Sequence, residues 1–240
     1  MNQIAARTQP ATAPDFVQMR NRMVDTQIRP VQVSDPRIIK AMRELPREQF
    51  VPAACVWQAY ADRAVRLDGT QAGASPEPGM GRVLMEPRII GRMLQVSVPR
   101  AGEAVLVVGA GTGYAAALLA ALGLRVIALE QDLALAAEGA RVCAALAPAV
   151  QFVTGPLAAG WAAGAPYDLI LIDGAVRSLP EALTAQLAPA GRLTAVLQPE
   201  RQVGTVILAE ASNQGLRSRP QFDATTALIP ELVPAPRFAF

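Results

Sequence analysis

Histidine is absent from the 240 residues, lysine occurs once, at Lys40, and cysteine occurs twice. Without histidine, Ser-His-Asp and Cys-His triads, HExxH zinc sites and imidazole proton shuttles are excluded. Cys55 and Cys143 lie far apart without CxxC spacing, so a closed zinc site is excluded as well and we expect no metal. The same spacing favours buried thiols in a reducing compartment over a disulfide framework, which predicts a cytoplasmic protein.

Charge and hydrophobicity set the broad class of the chain. Hydrophobic residues make up 52% of the sequence and charged residues 18%, which is typical of a globular protein. The formal net charge is +2 and the arginines are scattered, so we expect no nucleic-acid partner. Residues 1–14 lack an apolar run and are predicted to be a loosely held lead-in rather than a signal peptide.

One uncharged stretch, residues 104–124, is long enough to resemble a membrane span. Gly109, Gly111 and Gly113 fall in its middle, after a β-branched run and before an alanine-leucine pattern. This order indicates a strand, a glycine turn and a helix. We therefore expect no membrane association.

The first part of the chain, residues 15–100, is predicted to be a helical extension with an active-site loop. Apolar spacing predicts a helix from Asp15 to about Ile28, and Asp35-Pro36 marks the start of a second helix that ends at Pro46. Further helices are predicted over 56–60 and from Glu86-Pro87 to about Val96. Residues 68–81, rich in glycine and proline, form a long loop that is either mobile or a lid over the site.

From residue 101 onward, strands and helices alternate. Five apolar strands are predicted: Ala104–Val108, Arg125–Glu130, Val150–Thr154, Asp168–Asp173 and Arg192–Leu197. Three helices lie between them: Tyr114–Leu122, Asp132–Leu146 and Leu179–Leu187. The alternation indicates a parallel sheet that is covered on both faces. Two more strands, Gly204–Ala211 and Leu216–Phe222, are joined by a turn sequence and predict an antiparallel edge hairpin. Residues 15–240 are expected to form a single domain.

The turn from Gly109 to Gly113 follows the first of these strands and opens a helix. Glycines at such a turn let the backbone pass close to a ligand. Glu130 ends the next strand, where a carboxylate can accept the hydrogens of both ribose hydroxyls. Turn, helix, strand and terminal Glu130 in this order indicate a ligand that contains a nucleoside. Tyr114 stands where a dinucleotide site needs a third glycine, which disfavours an NAD oxidoreductase.

Together with these features, longer stretches of the chain resemble the protein-L-isoaspartate O-methyltransferases, a family of class I S-adenosylmethionine-dependent methyltransferases. The stretches that carry the resemblance are Met23-Val24, Gln27-Ile28, Asp35-Pro36-Arg37, Ala41-Met42, Pro46-Arg47-Glu48, Phe50-Val51-Pro52, Ala59-Tyr60-Ala61-Asp62, Val108-Gly109, Gly111-Thr112-Gly113-Tyr114, Ala165-Pro166-Tyr167-Asp168, Gln186-Leu187 and Gly191-Arg192-Leu193. The stretches over 46–52 and 59–62 are the most specific, because other methyltransferases lack them.

The resemblance implies a Rossmann-like, doubly wound α/β fold with a mostly parallel, seven-stranded sheet. It also implies S-adenosyl-L-methionine as the cofactor, with the turn glycines beside its methionine part and Glu130 on its ribose. The residues expected to bind this cofactor are Gly109, Ala110, Gly111, Thr112, Gly113, Tyr114, Glu130, Gln131, Pro156, Leu157 and Asp173. The implied reaction is methyl transfer to a carboxylate of a peptide, a protein or a small molecule, by a monomer or a homodimer.

The chain departs from the family in its active-site segment. The family reads Gly-Gln-Thr-Ile-Ser-Gln-Pro where this chain has Gly-Arg-Val-Leu-Met-Glu-Pro over residues 81–87. Val83 and Met85 thus replace two hydroxyls, and Arg82 and Glu86 replace neutral amides. An anion at Glu86 would repel an incoming carboxylate unless Arg82 or Arg88 neutralises it.

Two further departures concern the cofactor. Pro156 replaces an aspartate that contacts the adenine end in the family, and Val107 replaces a glutamate that usually precedes the glycines. We therefore expect the cofactor to be bound more weakly or in a different arrangement.

Three interpretations stay open at this point. The chain methylates an isoaspartyl or other carboxylate; or it has the same fold and a different acceptor; or it binds the cofactor without catalysis. The candidate catalytic residues are Asp173, Glu86 and Met85, the last at the position of the family's serine. Asp173 is equally compatible with a helix cap or a loop carboxylate. Because few residues could act as a base, an acceptor that is already anionic is favoured.

Overall fold

In the computed structural model, residues 14–69, 79–213 and 215–233 are described. The α-helices are α1 Phe16–Met23, α2 Pro36–Glu44, α3 Pro87–Ser97, α4 Tyr114–Ala121, α5 Leu133–Leu146 and α6 Glu181–Thr184. The strands are β1 Val65–Arg66, β2 Val83–Leu84, β3 Ala104–Val108, β4 Arg125–Glu130, β5 Val150–Thr154, β6 Tyr167–Val176, β7 Leu187–Leu197, β8 Thr205–Ser212 and β9 Gly215–Asp223. Short 3-10 turns lie at Arg29–Val31, Arg47–Phe50, Ala53–Gln58, Leu157–Ala159, Ala162–Gly164 and Pro230–Leu232.

Seven strands form one sheet in the order β5-β4-β3-β6-β7-β8-β9. The pairs from β5 to β7 are parallel, whereas β8 and β9 are antiparallel to their neighbours. The predicted α/β fold, with its mostly parallel seven-stranded sheet and its antiparallel edge hairpin, is confirmed. β1 and β2 pair with each other in a separate two-stranded ribbon.

The sheet buries both faces, because side chains alternate along its central strands. Val105 and Val107 of β3 belong to one hydrophobic cluster, together with residues of α1 to α5. Leu106 and Val108 belong to a second cluster on the other face. That second face is packed by α6 and by the 3-10 turns Leu157–Ala159 and Pro230–Leu232. One face therefore has long helices and the other has short ones.

The predicted boundaries around β6 and β7 were wrong. The strand expected over 168–173 extends to Val176 in β6, and β7 begins at Leu187 rather than at Arg192. Leu187 already pairs with Tyr167, so the chain joins the sheet there and the helix expected over 179–187 is only α6. The pairing of β6 with β7 shifts in register between Tyr167 and Leu169 and again between Leu171 and Ala175.

The N-terminal part is helical, as expected, with differences in detail. Asp15 caps α1 and Asp35 caps α2, each by accepting a backbone N–H in the first turn. The first helix continues past Met23 as a π-turn over Val24–Ile28. The helix expected over 56–60 is the 3-10 turn Ala53–Gln58. Of the expected loop 68–81, residues 70–78 lie outside the described residues, so its mobility stays a prediction.

Arg192 ties the amino ends of the central strands to α3. Its guanidinium Nη1 and Nη2 lie 3.0 and 2.8 Å from the two carboxylate oxygens of Glu103. Nη2 also donates to the carbonyl of Val98, and Nε donates to that of Ser97. Asp168 accepts the backbone N–H of Ala104 at the same edge. These charged groups therefore hold the amino edge of the sheet together. The opposite, carboxyl edge is the one where a ligand is expected.

The two cysteines are free and buried. Burial raises the pKa of the Cys143 thiol to about 11, which keeps it protonated and unreactive at neutral pH. Among the described residues, no helix is long and apolar enough to cross a membrane. The same residues contain no group of three His, Cys, Asp or Glu side chains placed to hold a metal ion.

Candidate active site

The parallel order of β4, β3 and β6 brings three predicted features to one edge of the sheet. The glycine turn follows β3, Glu130 ends β4, and Asp173 lies where the pairing of β3 with β6 stops at Val108 and Ile172. The carboxyl ends of parallel strands are the usual place for a ligand in an open α/β sheet. The three features thus lie together at the expected edge.

The turn glycines have left-handed backbone conformations, with φ of 73° at Gly109, 55° at Gly111 and 93° at Gly113. Each is also packed closely. A Cβ at Gly111 would lie 2.7 Å from Leu67, and one at Gly113 would lie 2.7 Å from the sulfur of Cys143. Packing within the chain therefore requires these two glycines, whatever ligand the turn accepts.

Glu130 is fully buried and its carboxylate is surrounded by backbone donors. Its Oε1 accepts the N–H groups of Gln131 and Asp132 at 2.8 and 3.0 Å. Its Oε2 accepts the N–H of Gly111 at 2.7 Å, which fixes the turn to the end of β4. A buried charge needs such partners, because an unpaired carboxylate in the interior is costly.

Arg82 adds an ion pair to the same carboxylate. Its Nη1 lies 2.7 Å from Oε1 of Glu130 and its Nη2 lies 2.7 Å from Oε2. Nη2 also donates to the carbonyl of Gly109 at 2.6 Å. This is the paired geometry in which arginine binds carboxylates most strongly. Arg82 therefore connects the active-site segment directly to the predicted ribose carboxylate.

The backbone of Arg82 is held by two contacts. The N–H of Leu67 donates to the carbonyl of Arg82 at 3.0 Å, across the ribbon of β1 and β2. The N–H of the preceding Gly81 donates to Leu228 at 3.0 Å. Ile229, the next residue, lies against the turn, since a Cβ at Gly109 would be 3.1 Å from it. The ribbon and the C-terminal segment thus cover the glycine turn together.

The residues suit an S-adenosyl-L-methionine in kind, because a glycine turn and a strand-end carboxylate lie side by side. The predicted contact of the ribose hydroxyls with Glu130 would use the two oxygens to which Arg82 donates in the conformation described. The N–H groups of Gly109 and Ala110 are likewise directed at Leu129. The predicted ribose contact and the ion pair with Arg82 thus involve the same two oxygens of Glu130.

Asp173 is a buried carboxyl group that is affected by nearby charges of both signs. Burial raises its pKa to about 7, while Arg82 and Arg47 lower it and Glu130 raises it further. It lies within β6 and is neither a loop residue nor a helix cap. A carboxyl group that titrates near neutrality in a cluster of charges is a candidate functional group.

Arg47 is the largest of the fully buried side chains. Its Nε donates to the carbonyl of Ala59 at 2.7 Å, and its Nη2 donates to that of Met85 at 2.6 Å. The guanidinium lies 4.8 Å from the ring centroid of Tyr114, a cation–π contact. Since Arg47 also lowers the pKa of Asp173, it supplies a buried positive charge close to the site.

The remaining residues predicted to bind the cofactor make contacts within the chain. Thr112 donates its hydroxyl to the carbonyl of Phe50 at 2.6 Å, and the Tyr114 ring packs edge-on against Phe50. The side chain of Gln131 accepts the N–H of Leu157, which is fully buried. Pro156 begins the 3-10 turn that contains Leu157. These residues shape the walls of the site, and their role in binding stays a prediction.

The active-site segment contributes its side chains in different ways. Met85 is buried and belongs to the main hydrophobic cluster. Burial raises the pKa of Glu86, with Arg88 and Arg47 lowering it less. Arg82 is directed at Glu130 rather than at Glu86, and Arg88 lies 3.5 Å from Asp62. Of the two arginines that could neutralise Glu86, Arg82 is thus engaged elsewhere, and Arg88 lowers the pKa of Glu86. Val107, in place of the family's glutamate, is a core residue of β3.

Sequence reasoning missed part of the site. The sequence contains Arg47 within the stretch over 46–52 but does not show that its side chain lies beside the site, and no local signal connects Ile229 with a turn 120 positions away. The sequence shows that Arg82 replaces a neutral amide but not that it contacts Glu130. A new positive charge in a segment close to a buried carboxylate is the signal that would have suggested it.

Comparison with known proteins gives consistent results. A family model described as protein-L-isoaspartate(D-aspartate) O-methyltransferase matches residues 18–224. A protein-L-isoaspartate O-methyltransferase of Methylorubrum extorquens (strain PA1) is 39% identical over 194 residues, which cover 81% of this chain and 80% of the relative. One from Koribacter versatilis (strain Ellin345) is 38% identical over 206 residues, covering 84% and 88% of the two chains.

Two solved structures resemble the fold. A protein-L-isoaspartate O-methyltransferase has a TM-score of 0.75 at 22% identity, over 89% of this chain and 67% of that one. A Plasmodium falciparum protein, described as such a methyltransferase in complex with S-adenosyl-L-homocysteine, has a TM-score of 0.71 at 16% identity, over 88% and 98%. At these identities, the likeness concerns the fold.

Proposed function

The chain belongs to the protein-L-isoaspartate(D-aspartate) O-methyltransferase family, and we propose that it methylates the carboxylate of isoaspartyl residues in peptides or proteins. The predicted family, the enzyme class of S-adenosyl-L-methionine-dependent methyltransferase and the cofactor are confirmed at the level of that family. The acceptor is our proposal. Methylation of such residues would make the chain a protein-modifying enzyme of the repair type.

The strongest support for this proposal is that three features lie together at the carboxyl edge of the sheet. The glycine turn, Glu130 and Asp173 come from β3, β4 and β6, and all lie within the residues that match the family. The bound cofactor supplies a methyl group on a positively charged sulfur. Glu130 would hold its ribose, and the turn would pass beside its methionine part.

The chain's own residues suit an acceptor that is already anionic. An ordinary carboxyl group has a pKa of ~4, so it is ionised at neutral pH and needs no base to become a nucleophile. Burial raises the pKa of Asp173 to about 7, so a large share of this group is neutral there and repels an incoming carboxylate less. The buried cation Arg47 adds an attraction. Orientation in a dry site can then supply much of the rate acceleration.

A second candidate is methyl transfer to a different acceptor. It is favoured by the segment at 83–86, where Val83 and Met85 offer no hydroxyl to orient a carboxylate. It is also favoured by Glu86, which is partly buried and whose ionised form would repel an anion. The third interpretation, cofactor binding without catalysis, remains the outcome if no acceptor is found.

The experiment is a methylation assay with radiolabelled S-adenosyl-L-methionine. One peptide contains an isoaspartyl residue, and the control has the same sequence with an ordinary aspartyl residue. We expect label in the isoaspartyl peptide alone, released by mild base as a methyl ester is. Background labelling of both peptides, by a folded protein that binds the cofactor, would sink the isoaspartyl proposal and favour the second candidate.

Several other predictions have no structural test and are proposals here. We propose a cytoplasmic location because both thiols are free. We also propose a single domain over 15–240, a monomer or homodimer, and no nucleic-acid partner. Size-exclusion chromatography with light scattering would decide the oligomeric state.

A further inference from the structure

We propose that Arg82 is an internal competitor of the cofactor: it occupies the ribose subsite at Glu130, and the cofactor binds only when the Arg82 side chain moves away. This inference rests on the proposed function, because it concerns the same site. In this proposal Arg82, a residue of the active-site segment, controls the affinity for the cofactor. Three observations support it.

The first observation is that Glu130 has no acceptor capacity left. Oε1 accepts from Arg82, Gln131 and Asp132, and Oε2 accepts from Arg82 and Gly111. A carboxylate offers about four lone-pair positions. Two ribose hydroxyls therefore cannot be added while the guanidinium is in place. The two ribose hydroxyls can replace the guanidinium, because the two Nη atoms of Arg82 also donate one hydrogen bond to each oxygen of Glu130.

The second observation is that the backbone donors of Glu130 are separate from Arg82. Gly111, Gln131 and Asp132 lie on the turn and directly after β4, so they stay in place when Arg82 leaves. The carboxylate then keeps three hydrogen bonds and remains aligned for a new partner. The position of the Glu130 carboxylate therefore does not depend on Arg82, although Arg82 occupies its two oxygens.

The third observation is that the guanidinium of Arg82 has few described partners and is the less buried half of the ion pair. The backbone carbonyl of Arg82 is bonded to Leu67 in the ribbon. Among the residues that the structure describes, its guanidinium is hydrogen-bonded to Glu130 and to the carbonyl of Gly109. The side chain is 11% exposed, whereas that of Glu130 is 0% exposed. Of the two side chains, that of Arg82 is therefore the one that keeps some contact with solvent.

Competition of this kind has a quantitative consequence. When only a fraction of the molecules has the subsite open, the apparent dissociation constant is the intrinsic one divided by that fraction. Replacing Arg82 by an uncharged residue removes the closed state. We therefore expect Arg82→Gln to bind S-adenosyl-L-homocysteine at least about tenfold more tightly than the wild type.

The test is isothermal titration calorimetry of S-adenosyl-L-homocysteine into the full-length wild type, Arg82→Gln and Arg88→Gln. Arg88 is a matched control: it is an arginine close in sequence whose side chain is 53% exposed and lies 3.5 Å from Asp62. Because an exposed ion pair contributes little, we expect Arg88→Gln to stay within about twofold of the wild type. Arg82→Lys, which keeps the charge but loses the paired donors, serves if Arg82→Gln does not fold, and should bind more tightly than the wild type.

The outcomes separate this inference from the proposed function. Tighter binding by the Arg82 variants and unchanged binding by Arg88→Gln would support it. Equal or weaker binding by the Arg82 variants, with measurable binding by the wild type, overturns the competition and leaves the proposed function intact. No binding by any folded variant overturns both. A crystal structure of the complex in which Arg82 still pairs with Glu130 also overturns the competition.

Discussion

Arg82 and Glu130, 48 positions apart in the chain, form a two-point ion pair with both N–O distances at 2.7 Å. The pair joins the ribbon of β1 and β2 to the end of β4, at the edge of the sheet where a ligand is expected. The charges are almost completely removed from solvent. The pair therefore affects the stability of the fold as well as access to the site.

The first prediction concerns the energy of this pair. Arg82→Gln leaves the buried Glu130 with backbone donors only, so we expect the free energy of unfolding to fall by about 2–4 kcal/mol. Glu130→Gln should lower it as well, and the double variant should lose less than the sum of the two. Urea unfolding of the four proteins measures the coupling. Strict additivity would show that the two side chains do not interact.

The second prediction concerns Asp173. Its folded-state pKa of about 7 lies above the ordinary 3.8, so the folded protein binds the proton more tightly and loses stability as the pH rises through this range. Asp173→Asn removes that loss. The stability of the variant relative to the wild type should thus increase between pH 4 and pH 7, by about 4 kcal/mol at most. Urea unfolding of both proteins at several pH values measures this change. A stability difference that does not vary with pH would contradict a raised pKa at Asp173.

The third prediction separates backbone strain from packing at the glycine turn. Gly113→Ala places a Cβ 2.7 Å from the sulfur of Cys143 and 2.9 Å from Phe152, at a φ of 93°. Gly102→Ala is the control, because its φ is 84° and nothing lies within 4 Å of the added Cβ. We expect the control to cost about 1 kcal/mol from the left-handed backbone and Gly113→Ala to cost about 2 kcal/mol more. Thermal unfolding compares them, and equal losses would exclude a packing role.

The fourth prediction concerns the contact between the turn and the N-terminal part. The buried hydroxyl of Thr112 donates to the carbonyl of Phe50, and Thr112→Val leaves that acceptor without this donor. We expect a loss of about 1–2 kcal/mol. Thr154→Val at an exposed position of β5 is the control and should change little. If both variants unfold alike, the hydrogen bond does not stabilise the turn.

The fifth prediction concerns Glu86. Burial raises the pKa of this carboxyl group, but its ionised form still opposes an anionic acceptor. Glu86→Gln removes the charge and preserves the shape, so we expect a lower KM for an isoaspartyl peptide, by about threefold to tenfold. The effect should be greatest at high pH, where Glu86 is ionised. Steady-state kinetics at two pH values measures it, and a higher KM would mean that Glu86 binds the acceptor.

Much of the fold could be predicted because its signals are local. The bounds of β3, β4 and β5 were predicted to the residue, since short apolar strands next to glycine turns are defined within a few positions. The carboxyl end of β6 and the amino end of β7 could not be, because they depend on pairing between residues such as Val176 and Leu197, or Tyr167 and Leu187. The hydrophobic pattern cannot tell a short buried helix from the start of a strand.

The candidate site, too, could be predicted only where its signals are local in the sequence. The glycine turn, Glu130 and Asp173 were identified from their positions at strand ends, and the parallel order of the strands brings them together. The partner of Arg82 was not identified. Glu86 was the nearer anion in sequence, yet the side chain of Arg82 reaches Glu130. A side chain takes its partner from the elements packed around it, not from its own segment.

The sequence by itself determined the class of the fold, the edge of the sheet where the candidate site lies and the family, because these follow from periodicity, turn chemistry and local motifs. Only the tertiary structure decided that Glu130, the predicted ribose carboxylate, is paired with Arg82, that Gly111 and Gly113 are required by packing, and that Ile229 lies against the turn. The physical reason is that a buried charge must find its partner wherever the packed chain offers one.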